Sequence, residues 1–336
     1  MARVLLLPAA DDPAARPGGG EEYARLLRAA RVDRFGEHRL VDHPDEADLI
    51  LFAITPGERR DLLRHPYVAR YRERCFVFDA YSGSLPVMAG VYGCLPRSAH
   101  LPGRTRAGHY PCVAEHPGFD YTPLRDDAPF LFSFVGASRT HPLRGELLRI
   151  EHPRAYLRDT TPNGESRPKA KFLDAEERRR YYGSYEDVMR ASKFVLCPLG
   201  LGPSSLRLFE ALRMGRVPVI LADDWAPVLG PDWSAISIQV PERAVADLPA
   251  LLEGRESEAP AMGRAARDAW ELWFDQDVTF HRVVEACLDI GREGGGPTRT
   301  HLAFLHLLLN KDNLRCYVRH YTRNGSRSAT RRRRPV

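Results

Sequence analysis

The sequence predicts an α/β protein of two domains, each a Rossmann-like α/β/α layer structure, facing one another across a cleft. Three observations predict it. Short continuous apolar runs recur at 47–53, 75–78, 130–135, 194–197 and 217–221, which suits strands of parallel sheets covered on both faces. Stretches of ten to fifteen residues with helical spacing alternate with them, the pattern of parallel sheets. A length of 336 residues, at roughly 150 per domain, is room for two.

Taken in order, residues 4–7 read as a first buried strand and 11–20 as a Pro/Gly-rich loop. Tyr23, Leu26, Leu27 and Ala30 give 21–30 a helical apolar face. Strands at 47–53 and 75–78 follow, then an irregular stretch, 83–127, rich in Pro, Gly and His. A second block begins near Pro129 with a strand at 130–135 and another at 154–157. A helix at 185–191 leads to the strand 194–197, stopped by Pro198; the helix 204–214 is closed by Gly215, a natural C-terminal stop. Strands at 217–221 and 235–240 precede helices at 244–252, 262–274 and 278–290. The expected division is a first domain at 1–128, a second at 129–296, a further helix within 297–320, and a disordered basic tail at 321–336.

Composition is that of an ordinary globular protein, 43% hydrophobic and 28% charged, which excludes collagen-like, wholly disordered and disulfide-scaffold classes. The charge is +5, but seven arginines and no acid lie from Arg319 onward, so the remaining chain carries −2. A body near neutrality argues against a surface coated for nucleic acid. The first seven residues are too short an apolar run for a secretory signal, and no run approaches the roughly 20 residues of a spanning helix. The six cysteines form no CxxC pair and read as buried thiols of a reducing compartment. The expected location is the cytoplasm, with peripheral contact at the inner membrane face through the Arg331–Arg334 run.

The chemistry lies in 185–224. Strand 194–197 runs into a Gly/Pro loop, Pro198-Leu-Gly200-Leu-Gly202-Pro203, and Ser204 or Ser205 then caps a helix. Strand, glycine loop and helix N-terminus together form an anion site, because free N–H groups and the positive helix end point the same way. Gly200 allows close backbone approach. Arg207 sits in the first turn, unfavourable for a cation unless an anion binds there. Glu210, one turn on, can accept from ribose hydroxyls. No GxxxxGK[ST] and no GxGxxG is present.

These residues resemble the exostosin-like glycosyltransferase family over about 129–275. The resemblance rests on Tyr185; on Ser192-Lys193-Phe194 with Leu196, Pro198 and Gly200; on Ser205, Arg207, Glu210 and Ala211; on Gly215, Pro218 and Val219; and on Asp223 or Asp224 with Pro227. Upstream, 130–136 ending in Gly136, with Arg144 eight residues on, fits the same family. The resemblance implies a GT-B fold and inverting transfer of a sugar from a nucleotide-diphosphate donor, most often UDP-linked, to a glycan acceptor, with no metal or other cofactor required. It implies that the donor lies in the second domain and the acceptor, lipid-linked or not, in the first. Arg144 and Arg207 become diphosphate ligands, Gly200, Ser204 and Ser205 line the phosphate, and Glu210 holds the ribose.

A general base is needed near the acceptor. Asp79, at the carboxyl end of the strand 75–78, is the first candidate; His100, His109, Glu115, His116 and Asp120 follow. Adjacent Asp223 and Asp224 suggest a cation site, but the family places an acidic turn there without one. Lys169 and Lys171 read as solvated charges. Two other classes fit the composition: a non-catalytic nucleotide or nucleic-acid binding protein anchored by its tail, and a GT-B-fold sugar-nucleotide epimerase, which needs no acceptor.

Overall fold

The computed structural model describes residues 1–9, 20–55, 58–83, 86, 88–161 and 185–293. They form two compact units, Met1–His109 together with the chain from Phe280, and Tyr110–Thr279.

In the first unit, β1 (Arg3–Leu7), β2 (Arg39–Leu40), β3 (Leu49–Ile54), β4 (Cys75–Asp79), β5 (Gly90–Tyr92) and β6 (Thr105–Ala107) form one sheet in the order β2-β1-β3-β4-β5-β6. Every pairing is parallel. The β3 run, LILFAI, is buried at all six positions, as a strand covered on both faces must be. The Glu21–Arg31 helix has acids in its first turn and arginines in its last, matching its dipole, and buries Leu26 and Ala29 on the sheet. The Gln276–Arg292 helix supplies Phe280, Val283, Val284, Cys287 and Ile290 to the same core.

In the second unit, β7 (Phe130–Gly136), β8 (Ala155–Asp159), β9 (Ser192–Pro198), β10 (Val217–Leu221) and β11 (Ile238–Gln239) lie in the order β11-β10-β9-β7-β8, again all parallel. Counted within the unit this is 2-1-3-4-5, so chain direction reverses between β7 and β9. Ligands of doubly wound sheets bind outside the carboxyl ends of the strands at such a point. The Leu206–Met214 helix follows β9 and ends at Gly215, whose φ of 72° is the left-handed stop expected of that glycine.

The two parallel sheets are those the apolar runs predict. The boundary differs: the units divide at 109/110, where 128/129 was expected, and the last described helix belongs to the first unit. Residues 110–127 lack any periodicity that could assign them. Arginine side chains of the second unit hold them instead. Arg213 donates to the carbonyls of Val113 and His116 and to Asp120, and the buried Arg216 donates to the carbonyl of Thr122 at 2.7 Å and to its hydroxyl at 2.9 Å. An irregular segment must satisfy its backbone groups outside a sheet or helix, and these guanidinium groups do so.

Three smaller differences follow. The predicted strand 235–240 is a helical turn, Trp233–Ile236, then the two-residue β11, because the Asp232 carboxylate caps the turn by accepting from Ser234 N. The stretch 83–127 contains β5 and β6, three residues each and too short for alternation to show. The Gln276–Arg292 helix extends past both ends of the predicted 278–290. Lys169 and Lys171, the 297–320 helix and the 321–336 tail with Arg331–Arg334 lie outside the described residues. Among the described residues the cysteines are free thiols, four of the five buried, and no helix is long and apolar enough to cross a membrane.

Candidate functional site

The carboxyl ends of β7 and β9 bring together the residues that the sequence singles out. The chain leaves β9 at Pro198 and makes a compact turn in which Gly200 N–H donates to Gly202 O at 3.0 Å, and Leu199 N–H donates back to Leu221 O at the end of β10. Tyr110 Oη donates to Ser204 O at 3.2 Å. Ser205 is the residue before the Leu206–Met214 helix and has the extended backbone of a cap, with φ −115° and ψ 133°, but its side chain makes no capping bond. The expected hydroxyl cap is therefore absent. Leu208 N–H donates to Ser205 O at 3.0 Å, which leaves the Leu206 and Arg207 amides at the helix end for an anion.

Arg207 reaches from that first turn to β7. Its Nη2 donates to Val135 O at 2.6 Å, and its guanidinium lies 4.8 Å from the Phe134 ring centroid and 5.6 Å from that of Tyr185. The missing side chain of Gly136 leaves the room, since a Cβ there would stand 3.1 Å from Arg207 Nη2. Arg207 Nε is buried without a hydrogen-bond partner. A buried guanidinium N–H left unpaired costs free energy that an arriving oxyanion would recover.

Glu210 lies one turn on. Tyr185 Oη donates to Glu210 Oε2 at 2.5 Å, and burial raises the carboxyl above its ordinary range. Burial likewise raises the Tyr185 phenol well above its ordinary value, so the tyrosine is the donor. Arg144 comes from the helix Pro142–Leu147 after β7. Its Nε donates to Leu199 O at 2.8 Å, Nη2 to Pro198 O at 3.2 Å and Nη1 to Ala137 O at 3.4 Å. Burial, then the like charge of Arg207, push Arg144 down to about 10. The site thus holds two guanidinium groups over one phenylalanine ring, Arg144 5.6 Å from it. The one carboxylate beside them is already engaged by a tyrosine. Such a charge balance asks for an anion.

The other candidates are not gathered there. Asp79 is fully buried at the end of β4, and its Oδ2 accepts from Arg59 Nε at 2.9 Å and Nη2 at 2.8 Å, while Oδ1 accepts from Tyr81 N–H. Its two oxygens are thus taken up by a buried ion pair and a backbone N–H, unlike the open carboxylate expected of a general base. His109 is buried and pushed down to about 3 by burial; His100 contacts Thr105 Oγ1 at 3.1 Å. His116 accepts from Gly118 N–H, Asp120 pairs with Arg213, and Glu115 is exposed. Asp223 and Glu242 exchange backbone-to-carboxylate hydrogen bonds, and among the described residues no three His, Cys, Asp or Glu side chains converge as metal ligands.

Sequence reasoning passed over Arg59 and Glu22. Glu22 Oε1 accepts from Arg25 at 2.5 Å, its Oε2 is buried without a hydrogen-bond partner, and burial pushes the carboxyl up to about 7. The signal was available: Glu22 opens the helix after β1, at the same carboxyl edge that selected Asp79.

Comparison with known proteins bears on this geometry. Residues 114–254, which carry Arg144, Gly200, Ser204, Ser205, Arg207 and Glu210, match the model of the Exostosin GT47 domain. This segment is thus similar to exostosin-type glycosyltransferase domains. The chain is similar to a probable glucuronosyltransferase of Oryza sativa subsp. japonica, 34% identical over 142 residues, which are 41% of this chain and 30% of that protein. It is similar to Exostosin-1 of Drosophila melanogaster, 26% identical over 322 residues, which are 83% of this chain and 41% of that protein. The chain therefore spans less than half the length of these exostosin-like relatives. Among solved structures it is similar to HepE of Anabaena in complex with UDP-glucose, at a TM-score of 0.45 and 12% identity, over 85% of this chain and 99% of that one; at that depth the likeness decides nothing about ligand.

Proposed function

We propose that the protein is a GT-B glycosyltransferase that moves a sugar, with inversion, from a UDP-linked donor to a hydroxyl of a glycan. The donor side is assigned to the second unit and the acceptor side to the first. The observation that carries the reading is the pair Arg144 and Arg207 beside an open helix N-terminus, with no carboxylate in ion-pair reach of either among the described residues, at the strand reversal of an exostosin-like domain. A leaving diphosphate develops negative charge, and preorganised N–H donors that meet it lower the barrier. Arg207 Nε and the Leu206 and Arg207 amides are such donors, and Glu210, held by Tyr185, is placed for a ribose hydroxyl. The similarity to a probable glucuronosyltransferase and to a probable beta-1,4-xylosyltransferase of Arabidopsis thaliana favours a pentosyl or uronosyl donor and a polysaccharide acceptor.

In this reading the acceptor oxygen bonds to the anomeric carbon as the bond to the diphosphate breaks, UDP leaves with the electron pair, and the acceptor proton passes to a base. Transfer is metal-independent, because arginines and amides stand where a cation would, so chelation with EDTA leaves the rate unchanged. We place the enzyme in the cytoplasm, with its arginine-rich tail touching an anionic membrane that carries a lipid-linked acceptor.

A thermal-shift screen over UDP-, GDP- and CMP-sugars tests the donor assignment. The stabilisation grows as RT ln(1 + [L]/Kd), so UDP-sugars stand out; no shift with any nucleotide removes the assignment. Omitting the acceptor separates transfer from epimerisation, since an epimerase isomerises its substrate alone.

A further inference from the structure

We infer that Arg144 serves nucleotide binding as a positioning residue that locks the 198–205 loop, with Gly200 as its socket, and not as a ligand of the diphosphate. The inference rests on the donor assignment above and departs from it on this one residue.

Arg144 directs one N–H from each guanidinium nitrogen at a main-chain carbonyl: Nε to Leu199, Nη2 to Pro198 and Nη1 to Ala137. Two of these acceptors open the loop after β9, and the third follows β7. The fork therefore joins the two strand ends on either side of the chain reversal. Tyr110 ties down Ser204 O at the far end of the loop. With the carbonyls of Pro198, Leu199, Gly202 and Ser204 all accepting hydrogen bonds within the unit, the loop is held by its oxygens. Of the amides opposite these carbonyls, those of Leu199 and Gly200 donate inside the unit and Pro203 has none, so the pinning fixes the backbone that leads into the helix and leaves the Ser205 N–H of that set for a ligand.

The socket is specific. A Cβ on Gly200 would stand 2.7 Å from Arg144 Nη2 and 3.3 Å from its Cζ. Gly200 has no positive φ, so the space Arg144 occupies, not backbone freedom, is the reason for a glycine there. The energetics point the same way. Arg144 is held down to about 10, first by burial and then by Arg207. Arg207 by contrast keeps an N–H without a partner. The two arginines thus divide the work, one presenting a donor to the anion and the other shaping the backbone that does the same.

The test is UDP affinity measured by calorimetry on the full chain, with circular dichroism to verify folding. R144A weakens UDP tenfold or more. R144K weakens it by the same factor, because an ammonium cannot reproduce a planar fork to three carbonyls; were Arg144 a phosphate ligand, lysine would serve as a point charge and restore most of the affinity. G200A weakens UDP comparably although it removes no charge, and G200A/R144A is no weaker than R144A, because the two changes act on one contact. The slope of log Kd against log salt stays at its wild-type value in R144A and flattens in R207A. Wild-type affinity in G200A, rescue by R144K, or a flattened salt slope in R144A each overturns the lock. If R144A proves poorly folded, G200A and R144K carry the test. Failure of the wild type to bind UDP defeats the donor assignment and this inference together, whereas UDP binding without the lock's signature defeats the inference alone.

Discussion

The carboxyl edges of the two sheets share a topology and differ in charge. Both units run 2-1-3-4-5 through their first five strands. In the second unit the reversal is flanked by Arg144 and Arg207, which reach carbonyls and an aromatic ring and find no carboxylate in ion-pair reach among the described residues. At the first unit's edge two arginines each meet an acid: Arg59 meets Asp79 at 2.8 Å and Arg25 meets Glu22 at 2.5 Å. The same fold therefore supplies one edge with positive charge to spare and another that is neutralised internally. Topology places a site, and the pairing of charges decides what the site accepts. Under the proposed function, the anionic nucleotide goes to the second edge and a neutral, hydroxyl-rich acceptor to the first.

Cutting the internal neutralisation is the most severe way to break this contrast. Asp79→Ala leaves Arg59 buried without its partner, and removing one member of a buried pair costs about 3–5 kcal/mol. Denaturant unfolding reads it; a loss below about 1 kcal/mol would show the pair to be dispensable. Next, Arg207→Ala weakens UDP by roughly 10- to 100-fold, the value of about 1.5–3 kcal/mol for hydrogen bonds to a charged group, while barely moving the unfolding midpoint. An unchanged UDP affinity would remove Arg207 from the site.

Acid sharpens the contrast through stability. His109 has a folded pKa near 3, below the ordinary 6.5, because burial disfavours its cation. A depressed folded pKa means that the native state prefers the neutral ring. Its contribution is full above pH 6.5 and is lost as pH falls toward 3. His38 and His100, both in the first unit, shift the same way by burial. Stability should fall by about 2 kcal/mol between pH 6.5 and pH 5 from His109 alone, and His109→Leu should flatten that slope in urea titrations at several pH values. In the second unit two carboxylates, Asp159 and Glu256, are each held down at about 2, and their contributions are lost only below pH 4.5. Glu22 runs oppositely: its raised folded pKa favours the protonated form, so its contribution is full below the ordinary 4.5 and fades as pH rises through about 7. The smallest effect is expected of Glu210→Gln, which keeps an acceptor for Tyr185 but loses the charge. UDP should weaken about three- to tenfold, near 1 kcal/mol for one hydrogen bond, with pyrophosphate affinity unchanged. Equal loss for both ligands would move Glu210 from ribose to phosphate.

Much of the second unit's edge was legible because it is local. Gly215 ends its helix, 217–221 is β10 residue for residue, and the strand–loop–helix order from Phe194 to Glu210 stands as read. The roles of single side chains were less legible. Arg144 and Gly200 were both picked out for a ligand; their nearest business is with each other, across a separation in sequence that no spacing rule spans. Asp79 was chosen for its place at a strand end, and that place is real, but the buried Arg59 twenty residues earlier claims it.

What the sequence determined by itself was what neighbours along the chain decide: which runs are apolar enough to be buried strands, where helices start and stop, and that a glycine loop leads into a helix at 198–206. Periodicity and the conformational limits of Gly and Pro act over a few residues, so they can be read one segment at a time. Only the tertiary structure decided that the chain from Phe280 joins the first unit, that Arg213 and Arg216 strap 110–127 to the second, and that Arg144 meets carbonyls where Asp79 meets a guanidinium. The physical reason is that a long charged side chain finds its partner among groups that sheet order has already brought together, at sequence separations that local propensity does not encode.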